Sequence, residues 1–419
     1  MAGVRADVIV VGGGPAGATA ARTLARGGAR VTVLDRATFP RNKPCGGGLT
    51  SRAVERFPHL RDALPRISTH AIRRIYMEGP GGESVAIETK RPTVLMVRRL
   101  EFDALLVSLA REAGAEVVEG VDIVRAFDDG ARVRLEARDG RTFDAPIVVA
   151  ADGVYSVVAR RLGLNPGWAR DRVALDMMEE TPHASLRATD DRTLWVSFAP
   201  GGGHGYGYIF PKTGFVNVGI GFVLSSYTSD IAGHPAQIHD RFVATLCDRG
   251  LLDGAPDPDR FTPYQVPVGG PLRETARGRV LLAGDAGGFV NGFSAEGIFF
   301  AMVTGELAGQ AILAGPARAA RRYQRAWRRE IGAEMRDARF LSQFLFGDVS
   351  RVDRLVRAVR AFPAVAGLLV DYATGTDTYQ GVRRRFVSKF PRIGAKLVMS
   401  YLRHYVRRQL ASGTSRATM

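Results

Sequence analysis

The sequence predicts an α/β fold in which a helix-flanked parallel sheet is interleaved with a β-rich portion and followed by a helical C-terminal region. Three observations predict it. The chain opens on "DVIVVGGGPAGATAARTLARGGARVTVLD" (Asp7 to Asp35), a short apolar strand, a glycine turn, an alanine-rich helix and a second strand, which together make a βαβ unit. A segment of the same strand-and-glycine style, "RVLLAGDAGG" from Arg279, returns far downstream. Between them, "LWVSFAP", "GYGYIFP" and "FVNVGIGF" read as strands of a sheet with a different character.

The order of these patterns is not collinear with domains. Residues 1–171 with 266–315 are expected to form a discontinuous, Rossmann-type dinucleotide-binding domain, residues 172–265 a β-rich substrate and catalytic domain, and residues 316–419 a helical region with a basic tail. Within the first part, "RRLEFDALLVSLAREAGA" from Arg98 is helical. "EVVEG" and "ARVRLEARDG" are expected as strands of a smaller sheet, and "APIVVAADG" as a buried strand ending in a loop. "EGIFFAMVTGELAGQAIL" is a long helix, and "ARRYQRAWRREIGAEMRDARFLSQFL" is expected as one continuous helix of the C-terminal region.

Composition narrows the function classes. With 46% hydrophobic residues in 419, the chain buries a large core and is not a disordered protein. Two cysteines, Cys45 and Cys247, are too few for a disulfide framework, and no signal peptide or apolar run long enough to span a bilayer is present. The expected location is the cytoplasm or the cytoplasmic face of a membrane. The net charge of +16 favours anionic partners. Much of it sits from Arg383 to Met419, where ten Lys or Arg and no Asp or Glu alternate with Phe, Leu, Ile and Tyr. That pattern suits a peripheral helix on an anionic membrane and equally a solvated helix packed by one face. No nucleic-acid-binding module accompanies the charge, so nucleic acid is not expected as a partner.

Gly12, Gly14, Ala16 and Gly17 build the glycine turn, with the G-x-G-x-x-G spacing at Gly12, Gly14 and Gly17. Bare backbone there permits a tight turn, close approach to a pyrophosphate and tight helix packing, while helix-start amides face the phosphates. Asp35 ends the second strand, placed to accept hydrogen bonds from a ribose. The motif by itself does not separate NAD from FAD.

The distant segments decide between them. The sequence resembles the flavoprotein superfamily that includes para-hydroxybenzoate hydroxylase, whose FAD site is completed by an aspartate-glycine pair after a buried strand and a glycine-aspartate pair later on. Here these are "VVAADGVYSVVAR", with Asp152 and Gly153, and "VLLAGDAGGFVNGFSAEGI", with Gly284 and Asp285. The resemblance implies that Asp285 meets the ribityl chain, Gly297 and Ile298 the isoalloxazine ring, Arg99 the pyrophosphate with Asp103 as its anchor, and Ile123 the adenine.

Three further motifs, "PCGGGL", "YGYIFPKTGFVNVGIG" and "GDAGGFVNGFSAEGI", resemble the geranylgeranyl reductase family, flavoenzymes that saturate carbon-carbon double bonds of isoprenoid chains. The middle one follows the family's Y-x-W-x-F-P pattern and later G-x-G at Tyr206, Tyr208, Phe210, Pro211, Gly219 and Gly221, with Tyr208 where tryptophan is more usual. By this resemblance the cofactor is FAD and the partner an isoprenoid lipid, geranylgeranyl or another polyprenyl chain. The aromatic residues would wall the substrate site, while Cys45, Gly46 and Gly48 would approach the flavin. Cys45, Tyr206 and Tyr208 are the candidate catalytic residues, and Lys212 a candidate for an anionic head group such as diphosphate. No metal site is expected, and His183 and His204 read as structural.

Several alternatives stay open at this point. A flavin monooxygenase or halogenase of the same fold is one, and a halogenase would carry a catalytic lysine between the first glycine loop and the Arg99 helix, where Lys43, Arg73, Arg74 and Lys90 are the candidates. A non-enzymatic prenyl-binding protein would show eroded flavin motifs. The substrate is open among geranylgeranyl diphosphate, a chlorophyll tail, an archaeal ether lipid and menaquinone, and the electron donor between NAD(P)H and a ferredoxin.

Overall fold

The computed structural model describes residues 6–374 together with positions 377, 381, 382, 384, 385 and 388. The basic tail expected beyond Arg383 therefore lies almost wholly outside the described residues.

One sheet has six strands in the order Ala276–Arg277, Val280–Leu282, Ile147–Ala150, Val8–Val11, Val31–Leu34 and Glu116–Val118. All neighbours are parallel except the first pair. The runs VIVV and IVVA are buried at every position, as strands covered on both faces must be. The helices Pro15–Arg26 and Ile298–Leu313 pack together beside this sheet, so close that a Cβ on Gly305 would stand 2.1 Å from the Ala16 carbonyl oxygen. "EVV" does not join the smaller sheet. It extends the parallel sheet beside Val31–Leu34, and the smaller sheet comprises Ile123–Asp128, Val133–Ala137 and Thr142–Ala145.

The second sheet has seven strands in the order Thr262–Val266, Ala174–Pro182, Phe215–Val223, Gly205–Lys212, Thr193–Phe198, Arg74–Glu78 and Ser84–Glu88. Every pairing is antiparallel except that of Thr193–Phe198 with Arg74–Glu78. The expected boundary is corrected here: the hairpin 74–88 belongs to the β-rich sheet and not to the dinucleotide-binding part. Its pairing spans more than a hundred residues of chain, so no local pattern announces it.

The helical region departs from expectation once. Two helices, Ala319–Glu330 and Gly332–Phe346, replace the single one, because Ile331 sits at φ −121° and ψ −9° and breaks the hydrogen-bond ladder. The helices Ser350–Ala361 and Pro363–Thr374 follow, the first lying against Ser84–Glu88 and joined to that hairpin by ion pairs from Arg357 and Arg360 to Glu83. Among the described residues, no helix is long and apolar enough to cross a membrane.

Candidate active site

A single cavity of about 500 Å³ runs from the glycine turn to the face of the second sheet. At one end the strand Val8–Val11 enters a turn where Gly12 adopts φ +98° and a Cβ would stand 2.4 Å from Ala151 O. Gly17 packs tighter still, with only 1.8 Å between an added Cβ and Gly12 O. Asp35 accepts from the Gly13 amide at 2.6 Å and the Ala37 amide at 2.8 Å, which fixes the end of its strand against the turn. Asp152 accepts from Ser156 Oγ at 2.6 Å, and burial pushes its carboxyl above the ordinary value.

The donors around this end fit a dinucleotide pyrophosphate. Arg99 forms a two-pronged pair with Asp103 at 2.6 and 2.7 Å, and Asp103 also holds Arg41 at 3.1 Å. Apart from that ion pair, buried Arg41 Nη1 has no hydrogen-bond acceptor, and Arg41 Nη2 lies 3.5 Å from where a Cβ on Gly14 would stand, at the start of the helix Pro15–Arg26. A half-buried guanidinium with donors to spare beside a helix N-terminus and a glycine cradle is the donor set that an anionic diphosphate completes. Gly12, Gly14, Ala16, Asp35, Arg99 and Ile123 line this part of the cavity, and Asp152, Asp285, Gly297 and Ile298 continue it. Gly17 does not reach the cavity; it sets the turn from behind. Lys43 projects into the same space, 3.9 Å from Asp285 and 4.2 Å above the Tyr264 ring.

The loop carrying Cys45 closes over the middle of the cavity. Cys45 Sγ accepts from the Gly47 amide at 3.4 Å and stands within reach of the Arg99 guanidinium. Gly46 is bare because Phe210 leaves no room: an added Cβ would be 2.6 Å from its ring. Behind Gly47 stands Lys212, 1% exposed and ion-paired with Glu180, which also accepts from Arg98 at 2.8 Å. Lys212 is thus not a head-group site. It is absent from the cavity wall and neutralises a carboxylate that burial would otherwise raise and that Lys212 and Arg98 together lower. Past the loop, Thr50 and Arg52 bind Glu296, and Arg52 also binds Glu334, bracing the turn before Gly297.

The other end of the cavity is one face of the second sheet. Alternation puts Tyr206, Tyr208 and Phe210 on that face, with Phe198, Val196 and Leu194 beside them on the next strand. Ile75, Met77 and Ile87 continue the surface, and Val356 and Val359 of Ser350–Ala361 cover it. Apart from Asp176 beside Tyr208, the described residues of this arm carry no charged side chain, whereas the glycine-turn end holds Asp35, Arg41, Lys43, Arg99 and Asp285. Pro211, Gly219 and Gly221 do not line it; the two glycines leave room for Tyr208 and for Asp176 on the neighbouring strand. His204 donates to or accepts from Ser342 at 3.1 Å, stacks on Phe346, and is pushed down to about 4 by burial.

Sequence reasoning missed Asp176, Arg41, Tyr264 and the hairpin residues of the arm. The strand alternation of "VALDMMEETP" offered a signal for Asp176, an acid among apolar residues, but not its neighbour. Among the described residues no cluster of His, Cys, Asp or Glu is placed to hold a metal.

Residues 5–305 match the family described as "FAD binding domain". The chain is 34% identical over 327 residues to "Menaquinone reductase" of Mycobacterium tuberculosis (strain ATCC 25618 / H37Rv), covering 73% of this chain and 76% of that one. It is 32% identical over 352 residues to "Geranylgeranyl diphosphate reductase, chloroplastic" of Oryza sativa subsp. japonica, covering 79% and 72%. This chain belongs to the geranylgeranyl reductase family of FAD-dependent oxidoreductases. The family's fold recurs in a geranylgeranyl bacteriochlorophyll reductase-like protein from Thermoplasma acidophilum, with TM-score 0.77, 20% identity, and 94% and 98% of the two chains covered. A flavin-dependent brominase shares it as well, with TM-score 0.72, 17% identity, and 95% and 99% covered.

Proposed function

We propose that this flavoprotein saturates double bonds in the polyprenyl chain of a lipid whose head group stays outside the apolar arm, a prenyl quinone of the menaquinone type first among them. The observation that carries this is the continuity of the cavity: an arm lined by Ile75, Met77, Ile87, Leu194, Val196 and Phe198 opens directly beside Cys45 and the flavin end. Apolar area buried there contributes about 25 cal/mol per Å², which suits a hydrocarbon chain and disfavours a charged or small polar substrate. With Lys212 buried in its pair with Glu180, no cation among the described residues of the arm awaits a diphosphate. The relative named "Menaquinone reductase" supports the same substrate class.

When bound and reduced, FAD supplies a hydride at its ring nitrogen. The chain's own residues do the rest: the glycine turn and Arg99 bind the cofactor, the arm threads the alkene to the flavin end, and the packed aromatic residues exclude water. The lipid is reached from an anionic membrane surface, a reading supported by the +16 charge and tested by co-sedimentation with phosphatidylglycerol vesicles. A halogenase remains the second reading, favoured by the brominase's fold and by Lys43 in the cavity.

The test is an anaerobic single turnover. The dithionite-reduced holoprotein is mixed with menaquinone or with geranylgeranyl diphosphate, and the lipid is analysed by mass spectrometry. Gain of two hydrogens per double bond, located in the prenyl chain by fragmentation after any quinol has been reoxidised to quinone, with return of the flavin absorbance supports the reductase. Reoxidation only on admitting oxygen and halide, with a halogenated product, supports the second reading instead.

A further inference from the structure

On the cavity-facing side of the second sheet, three adjacent strands bring two polar side chains together across a gap. The register sets Tyr208 opposite Gly219 and Gly219 opposite Met178, then Tyr206 opposite Gly221 and Gly221 opposite Asp176. With no side chain on the middle strand, Tyr208 reaches over it. A Cβ on Gly219 would stand 2.3 Å from Tyr208 Oη, and one on Gly221 would stand 3.3 Å from Asp176 Oδ1. Tyr208 Oη thereby donates toward the Asp176 carboxyl, 3.2 Å from Oδ2 and 3.4 Å from Oδ1. Tyr208 is only 3% exposed, and both residues line the cavity. The neighbouring phenol is committed elsewhere, since Tyr206 Oη donates to the Ser294 carbonyl at 3.2 Å.

We propose that Tyr208 delivers the proton to the alkene carbon that does not receive the hydride, and that Asp176 restores the Tyr208 proton. The inference rests on the reductase reading above. As the hydride forms a C–H bond at one carbon, the π-bond electrons take the proton from Tyr208 Oη at the other and the Oη–H bond breaks. The Asp176 carboxyl proton passes to the phenolate, leaving Asp176 a carboxylate. The alkene is reduced by two electrons with oxidation of the flavin that supplied the hydride, and one proton is taken up from solvent to restore Asp176.

The surroundings suit this sequence. Lys43 and Cys45 face the pair from the glycine loop, Tyr206 from the same strand as Tyr208, and Tyr264 from the edge strand opposite Asp176, with Asp285 beyond Lys43. Burial raises the Asp176 carboxyl to about 7, against the pull of the Tyr208 hydroxyl and of Lys43, so the acid form is available at neutral pH. Burial also raises the Tyr208 phenol well above its ordinary value, which makes a lasting phenolate unfavourable and refilling from Asp176 favourable. The Lys43 charge then sits near the carboxylate left behind. A tryptophan at 208, more usual in the family's pattern, has no hydroxyl to pass a proton through, so the relay is a feature of this chain.

The test has a spectroscopic arm and a kinetic arm. In the oxidised holoprotein, infrared difference spectra should show the carbonyl stretch of a neutral carboxylic acid disappearing as pH rises through about 7. That band should be missing from Asp176→Asn and shifted in Tyr208→Phe. In anaerobic single turnover, Tyr208→Phe, Tyr208→Trp and Asp176→Asn should bind FAD normally and oxidise on adding the prenyl lipid about 100-fold more slowly than wild type. The wild-type rate should fall as pH rises through about 7, and that fall should flatten in Asp176→Asn and return in Asp176→Glu. If the wild type turns over and Tyr208→Phe keeps pace with an unchanged pH profile, the relay is overturned while the reductase reading stands. Should Asp176→Asn not fold, Tyr208→Phe still decides, because it removes one oxygen only. Should no prenyl lipid oxidise the reduced wild type, the reductase reading falls and takes the relay with it.

Discussion

The two sheets present the cavity with different parts of themselves. The parallel sheet offers the ends of its strands, where Gly12, Asp35 and Asp152 arrive at the tips and the backbone does much of the binding. The antiparallel sheet offers a face, so that residues two apart on strands distant in sequence become neighbours: Tyr208, Val196 and Met77 form one row across three strands. The first arrangement concentrates function in short motifs, because a strand tip and the helix after it are contiguous in the chain. The second disperses function over the chain, because a face is assembled by register.

The largest effect should come from breaking the strand-tip end. Gly17→Val sets a side chain where only 1.8 Å separates an added Cβ from Gly12 O, and relief costs about 3 kcal/mol, roughly 100-fold in cofactor affinity. The expected outcome is a folded protein purified without yellow colour, checked by flavin absorbance per mole of protein. A variant that retains full FAD would show that the turn is not what holds it.

Breaking the sheet face should leave the cofactor in place. Val196→Glu puts a charge into the apolar arm beside Tyr208, and turnover of a prenyl lipid should fall by about 100-fold or more, with the flavin spectrum unchanged. Unchanged lipid turnover in that variant would move the substrate out of the arm.

Lys212 tests the boundary between the two ends. Lys212→Met leaves Glu180 buried with only Arg98 as partner, and the variant should lose about 3 kcal/mol in denaturant unfolding. Lys212 and Arg98 hold the Glu180 carboxyl below its ordinary value despite burial. A depressed carboxylate contributes stability that is present above its unfolded pKa and lost as pH falls through its folded one. The wild type should therefore lose stability relative to Lys212→Met on acidification, and the gap between the two should narrow. The variant's preference between menaquinone and geranylgeranyl diphosphate should not change; a selective loss of the diphosphate would restore Lys212 as a head-group site.

The smallest effect sharpens the arm itself. Val359→Phe adds bulk where the helix Ser350–Ala361 covers the arm, so longer prenyl chains should lose about tenfold in kcat/KM relative to shorter ones. Competition between chain lengths in one reaction measures it directly.

Sequence and structure divide along the same line as the two sheets. The glycine turn, Asp35, the Asp152 and Asp285 motifs and the Arg99–Asp103 pair were legible because each lies within a few residues of the strand or helix that positions it. The family resemblance placed Cys45, Tyr206 and Tyr208 at the cavity for the same reason, through contiguous motifs. What the chain order left unmarked was pairing at a distance. The hairpin 74–88 joins the second sheet through Thr193–Phe198, Glu116–Val118 chooses the parallel sheet, and Lys212 turns inward to Glu180 instead of toward a ligand. Asp176 meets Tyr208 only because two glycines on the strand between them are bare. Local backbone preference and side-chain size act over a few residues and so are written in the sequence. Register and burial are collective, since the free energy of a strand pair or an ion pair depends on what the remainder of the chain has packed around it, and only the tertiary structure settles them.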